Sequence, residues 1–226
     1  MIIAWPIDLL KPRDMNISKL SATIKGNAAI SGLTQRVASD AGRWSLKMDG
    51  IWIRDANQRR LWRAIEGMAQ GQLGQFLVPI CSRGAAPSPT GVIELPHNDE
   101  SMFSDGSGYE QSNYTTRLGA SVSLGASQCI INHDLDDPPQ PGDGFEVGIG
   151  RYHHITSIIS VGTGQVTVSV WPTFREPAYL NDGLNFGSPR VLCRLADDDQ
   201  MAIDVFSLNK FATTAVSFIE DTGPLL

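Results

Sequence analysis

Apolar residues in this chain recur at every second position in short runs, and glycines and prolines fall between the runs. That pattern constrains the fold more than any other feature. Val166, Val168 and Val170 alternate with polar residues, and Trp44, Leu46 and Met48 alternate with Arg43, Ser45, Lys47 and Asp49. Such alternation puts one set of side chains on one face of a strand. With 22 glycines and 13 prolines as punctuation, the chain reads as mainly β, built as a sandwich or a barrel. Asp49-Gly50, followed by Ile51-Trp52-Ile53, is a short-turn hairpin signal.

One segment breaks the pattern. Leu61, Trp62, Ile65, Met68 and Ala69 recur at helical spacing, while Arg59, Arg60, Arg63 and Glu66 fall largely elsewhere. An amphipathic helix over residues 56–71 is predicted, capped by Asp55 or Asn57 and ended by a left-handed residue at Gly71 or Gly74. Phe76 to Ile80 follows as an apolar strand.

Composition shifts at Ser82, where Arg83-Gly84-Ala85-Ala86-Pro87-Ser88-Pro89 reads as a linker. Pro96 to Thr116 is rich in Ser, Asn, Gly and Asp and is expected to be an exposed, partner-facing loop. Short strands resume with Leu118, Ala120, Val122 and Leu124, then Gln128 to Ile131, Phe145 to Ile149, Tyr152 to Ile159 and Gln165 to Val170, enough for a small barrel. After Asp197-Asp198-Asp199 come two more alternating runs, Met201 to Leu208 and Phe211 to Glu220. An isolated hairpin is marginal in water, so these two are expected to rejoin the first domain. The predicted organisation is a β-sandwich with one helix, from residues 1–81 and 197–226, and an inserted small β-barrel over 82–196 with polar loop 96–116.

Bulk properties narrow the function. The 226 residues, 42% of them hydrophobic, can bury a core without staples, and the net charge of -6 comes from interspersed rather than blocked residues. No basic footprint for nucleic acid results. The first residues, Met1 to Lys11, show no secretion leader, and no apolar run is long enough to span a membrane. Cys81, Cys129 and Cys193 lack any paired spacing and are read as reduced thiols of a protein made in a cytosol.

Reactive motifs are thin. His153-His154 is a conspicuous pair beside His97 and His133, but neighbours on a strand point to opposite faces and cannot share a metal without a bulge. Cys129, His133 and Asp134 or Asp136 assemble a nucleophile, a base and a carboxylate only on paper. Asp134, Asp136 and Asp137 lack the glycine and closing Glu of a calcium loop. Gly71-Gln72-Leu73-Gly74 and Gly142-Asp143-Gly144 lack the Gly-Lys-Ser/Thr ending of a phosphate cradle. No catalytic residue, metal site or cofactor is expected. Trp5, Arg43, Trp52, Trp171 and Tyr179 are candidate interface anchors, with burial in the core as the competing role for the tryptophans.

Ser31-Gly32-Leu33-Thr34-Gln35 to Gly42-Arg43-Trp44, the helix around Leu61-Trp62-Arg63-Ala64, and Gly74-Gln75-Phe76-Leu77-Val78-Pro79 together resemble the distal tail proteins of siphophages. Pro141-Gly142-Asp143-Gly144-Phe145, Tyr152 to Ile159, Val166 to Pro172 with Phe174-Arg175, and Pro189 to Leu195 look like the barrel element of such minor tail proteins. Val216-Ser217-Phe218-Ile219-Glu220 is similar to their ends. The resemblance covers most of the chain through dispersed motifs. It implies a non-enzymatic virion protein of the tail tip or baseplate, assembled in the host cytoplasm. Such a protein forms a ring, typically a homo-hexamer, and joins the tail tube protein to the hub, tape-measure or fibre proteins.

Two other readings compete. The inserted barrel and its loop, with Tyr109 and Tyr114, would make a carbohydrate- or receptor-binding module if they offered an aromatic platform. A cell-wall peptidase or glycosidase would need converging titratable groups in a cleft, which no spacing here suggests.

Overall fold

The computed structural model describes residues 2–28, 34–80, 93–95, 109–111, 116–133, 138–202 and 212–223. In chain order its elements begin with β1 (Ile2–Ala4), β2 (Asp14–Ala28), β3 (Thr34–Ile53), the helix α1 (Ala56–Ala69), a 3-10 turn (Gly71–Leu73) and β4 (Gln75–Pro79). They continue with β5 (Ile93–Leu95), β6 (Tyr109–Gln111), β7 (Arg117–Leu118), β8 (Gln128–Asn132), β9 (Gly144–Val147), β10 (Arg151–Gly162), β11 (Gln165–Trp171) and β12 (Leu184–Asn185). The last two are β13 (Arg190–Leu195) and β14 (Ala212–Glu220). The protein is mainly β, with one α-helix among the described residues. It divides into two compact units, Met1–Cys81 with Arg190–Leu226, and Ser82–Pro189.

The first unit is a six-stranded sheet in the order β1-β4-β13-β14-β3-β2. β1 runs parallel to β4, and the other pairings are antiparallel. Trp44, Leu46 and Met48 are buried from β3, as alternation requires. Asp49-Gly50 does not turn the chain, because β3 continues through it to Ile53. Gly50, at φ 69°, instead forms a bulge where the register against β14 moves from Met48↔Val216 to Ile51↔Thr214. A tight turn and a bulge both call for a glycine at positive φ, which is why the dipeptide misleads. The bulge switches parity, so that Ile51 and Ile53 continue the buried face.

Helix α1 begins at Asp55, whose Oδ1 accepts from the Gln58 amide at 2.7 Å, while Gln58 Oε1 accepts from the Arg54 amide at 2.7 Å. It ends at Gln70, which takes the left-handed conformation at φ 48° in place of the expected glycine. Trp62, Ile65 and Ala69 are its buried residues. Trp62 meets Trp5 edge-on at 6.1 Å, and Trp5 meets Phe218 at 5.4 Å, so an aromatic core couples helix to sheet. Burying each such ring contributes about 1.5–3 kcal/mol. Opposite the helix C-terminus, Arg194 Nη1 donates to the Leu73 carbonyl at 2.6 Å, and its Nε donates to Asp221 at 2.8 Å.

β13 pairs with β4 and β14, so the first unit resumes at Arg190 and not at Asp197. The stretch Pro189 to Leu195, expected in the barrel, therefore lies largely in the outer sheet. Its alternation is the same in either place, and only its partners distinguish them. Met201 lies in a turn, and residues 203–210 of the strand expected from Met201 to Leu208 fall outside the described residues.

In the second unit, six antiparallel strands run in the order β12-β9-β10-β11-β8-β7. The two ends of that order meet. Arg117 bridges Gly183, Leu118 N donates to the Asp182 carbonyl at 3.0 Å, and Leu184 N donates to the Thr116 carbonyl at 2.9 Å. Closure into a small barrel removes the exposed sheet edges. Leu118, Ile131, Phe145, Val166, Val168 and Phe186 are among the side chains that fill it. The strand expected over Leu118 to Leu124 is confined to β7 and a bridge at Val122, because Gly125 at φ 79° turns the chain and leaves Leu124 exposed. Of the polar loop 96–116, only β6 and Thr116 lie within the described residues.

Candidate functional site

The five expected anchors divide by burial. Trp5 is 3% exposed and belongs to the aromatic core, which corrects its reading as a surface anchor: β1 pairs with β4 and carries it under α1. Arg43 is exposed, and Trp52 is 44% exposed with the Arg54 guanidinium over its ring at 4.5 Å. Trp171 is half-buried, whereas Tyr179 is 67% exposed on a turn closed by its amide donating to Asp182 Oδ2 at 2.7 Å.

Of the sequence motif Cys129, His133 and Asp134 or Asp136, the two described residues, Cys129 and His133, are both buried. Burial pushes the Cys129 thiol up to about 12, which leaves it protonated and a poor nucleophile near neutral pH. Cys193 is also pushed up, by burial first and then by Glu220 and Asp221. Asp134, Asp136 and Asp137 lie outside the described residues, and so do His97, Cys81 and Tyr114. No group of three or more His, Cys, Asp or Glu able to hold a metal occurs among the described residues. No helix among them is long and apolar enough to cross a membrane.

Two places stand out in the geometry. The first is the hairpin of β2 and β3. β14 accompanies β3 only from Ser45 to Ile53, whereas β2 accompanies it from Asp49 outward to Thr34. Residues 34–43 of β3 and 20–28 of β2 therefore form a two-stranded arm, with no third strand paired to it among the described residues. The register slips between Leu20↔Arg43 and Ala22↔Ser39, a bulge at the root of the arm. The arm's sequence, with Leu20, Ile24 and Val37 as its large aliphatics, carries too little apolar surface for a core of its own.

The second is the interior face of the barrel where β9 meets β10. Register pairs Arg151 with Val147 and His153 with Phe145, placing both polar residues on the face that lines the apolar interior. His153 is 1% exposed, stacks on Phe174 at 4.5 Å, and has Nδ1 2.8 Å from the Pro172 carbonyl. Burial, with smaller effects from Arg175 and Arg151, lowers it to about 4, although the hydrogen bond at Pro172 opposes the shift. It is neutral at physiological pH, and Nδ1 donates. Arg151, 4% exposed, makes an ion pair with Glu176, with Nε 3.0 Å from Oε1. On the opposite strand face, Tyr152 Oη is 2.7 Å from His154 Nε2, so the two neighbouring histidines point apart.

The sequence singles out the His153-His154 pair but not Arg151 and Glu176 beside it. The available signal was a charged residue at an inward position of an otherwise apolar alternation. The chain matches no protein-family model and no curated protein.

Proposed function

We propose that this chain is a structural protein of a phage tail tip. On this reading it is a ring-forming distal tail protein that joins the tail tube to the hub and fibres, acts by assembly rather than catalysis, and is carried in the virion. The resemblance in sequence supplies the family, and the arm supplies the physical support. A two-stranded ribbon projecting beyond its own sheet is marginal in water. No further strand is paired to its edges among the described residues, which leaves room for strand addition by another chain. A ring needs such a head-to-tail contact, in which one surface of each copy meets a different surface of the next and the rotation closes.

Light scattering across a dilution series tests this reading. Full-length protein is expected as a closed ring of about six copies, or as a monomer that forms rings when tail tube protein is added. A variant with residues 23–40 replaced by Asn-Gly is expected to keep the folded sheet and lose the ring. A strict monomer indifferent to tail proteins overturns the reading, and so does a ring that survives loss of the arm.

A further inference from the structure

Small residues on the exposed face of α1 leave a groove. Arg63, Ala64, Gly67 and Met68 line it from the helix, and Leu73 borders it from the turn that follows, around a volume of about 580 Å³. A Cβ added at Gly67 would meet nothing within 4 Å, so there is space directly over the helix. Met68 is 43% exposed and Leu73 65%, two large apolar side chains left in water beside that space. Covering them would remove apolar surface from water, which favours docking of an apolar element here.

The barrel unit carries such an element. Tyr179 and Leu180, 67% and 53% exposed, are neighbours on a turn. Hydrogen bonds fix that turn: Leu180 N donates to Ser121 Oγ at 3.0 Å, Asn181 N to the Leu118 carbonyl at 2.9 Å, and Asp182 N to the Tyr179 carbonyl at 3.0 Å. A turn held in this way presents two large apolar side chains without the ordering cost that a loose loop incurs on docking.

Charge selects the pairing. The first unit has 14 Lys and Arg against 12 Asp and Glu, whereas the barrel unit has 4 against 12, so their net charges are +2 and -8 and together make the chain's -6. Helix α1 itself carries Arg59, Arg60 and Arg63 against Glu66 alone. Two barrel units brought together repel, while a barrel unit brought to α1 of another copy is attracted. We infer that the Tyr179-Leu180 turn of one copy seats in the α1 groove of the next. The contact joins two different surfaces, so a pair of copies keeps one free groove and one free turn, as head-to-tail assembly needs. The inference rests on the reading of this chain as a ring-forming protein, and its contact is distinct from the arm.

The test uses full-length protein with tail tube protein present. Tyr179→Ser combined with Leu180→Ser, both at exposed positions, is expected to raise the concentration at which the assembly dissociates by about tenfold or more, read by light scattering. Cross-linking then locates the contact. Gly67→Cys, placed where the helix has open space, is mixed with Leu180→Cys and oxidised. The mixture is expected to give a disulfide-linked dimer that neither variant gives alone. Val161→Cys, exposed on the same barrel unit, is the control and is expected to give none with Gly67→Cys. A wild-type ring overturns the contact, and leaves the ring reading standing, if the double variant dissociates at the same concentration or if Leu180→Cys cross-links no better than Val161→Cys. A wild type that stays monomeric with tail tube protein overturns both.

Discussion

The two units treat their sheets in opposite ways. Among the described residues the first leaves its sheet open, with short β1 at one edge and long β2 at the other. It buries one face under a helix. The second joins β7 to the β12 end and leaves no long edge, filling the enclosed space with its own side chains. An open sheet depends on what covers it and offers backbone to partners. A closed barrel depends on what fills it, and a polar residue placed inside stands out. The proposed assembly surface is therefore an edge in one unit, whereas the other unit keeps its unmet polar atom, His153 Nε2, inside.

The largest expected effect comes from removing the cover. Trp62 is fully buried, stands edge-on to Trp5, and donates Nε1–H to the Met201 carbonyl at 2.9 Å. Trp62→Ala leaves a cavity and an unpaired carbonyl, and should destabilise the first unit by about 3–5 kcal/mol. Hydrogen exchange reads this locally. Amides of β3, β4 and β14 should lose protection while those of β9 to β11 keep theirs. Equal loss in both units would break the comparison, since the barrel would then depend on the same cover.

A second effect belongs to the barrel alone. The folded protein holds His153 at about 4, well below its usual 6.5, so the unfolded chain binds a proton that the folded chain refuses. A group with a depressed folded value loses its contribution as pH falls. The barrel should be fully stable above about pH 6.5 and lose up to about 3 kcal/mol by about pH 4. Between about pH 6.5 and about pH 5, most carboxylates stay ionised and the slope isolates the histidine. Protection in β9 to β11 should fall through that window in the wild type. It should stay level in His153→Phe, even if that variant starts lower for want of the bond to Pro172. A wild-type barrel indifferent to pH there would mean that His153 takes up its proton without cost.

How much of this was legible follows from which forces act locally. The mainly β class, the single helix and its cap at Asp55 come from spacing and side-chain chemistry within a few residues, and both are written in the sequence. Three features escaped because they depend on partners distant in the chain. β13 alternates as a barrel strand would, and only pairing with β4 and β14 assigns it to the outer sheet. Trp5 could have been an anchor until β1 was set beside β4. Alternation sets His153 and His154 on opposite faces without saying which is inside, and the unmet Nε2 of His153 follows from the fold around Pro172 and Phe174.

The smallest effect tests the bulge that keeps the open sheet's long strand in register. Gly50 holds φ 69°, a conformation that costs an L-residue about 1 kcal/mol, and an added Cβ would come within 2.8 Å of Arg13 Cβ. Gly50→Ala should therefore destabilise the first unit by about 1–3 kcal/mol, read as a shift of the denaturation midpoint with unchanged slope. Its local signature is distinctive. Arg13 N donates to the Asp49 carbonyl at 3.0 Å, so exchange at Arg13 should rise more than exchange at Leu46 or Phe218. If Gly50→Ala proved neutral, the parity switch between Met48 and Ile51 would not need a glycine. Asp49-Gly50 would then be a turn signal whose local preference the sheet overrides.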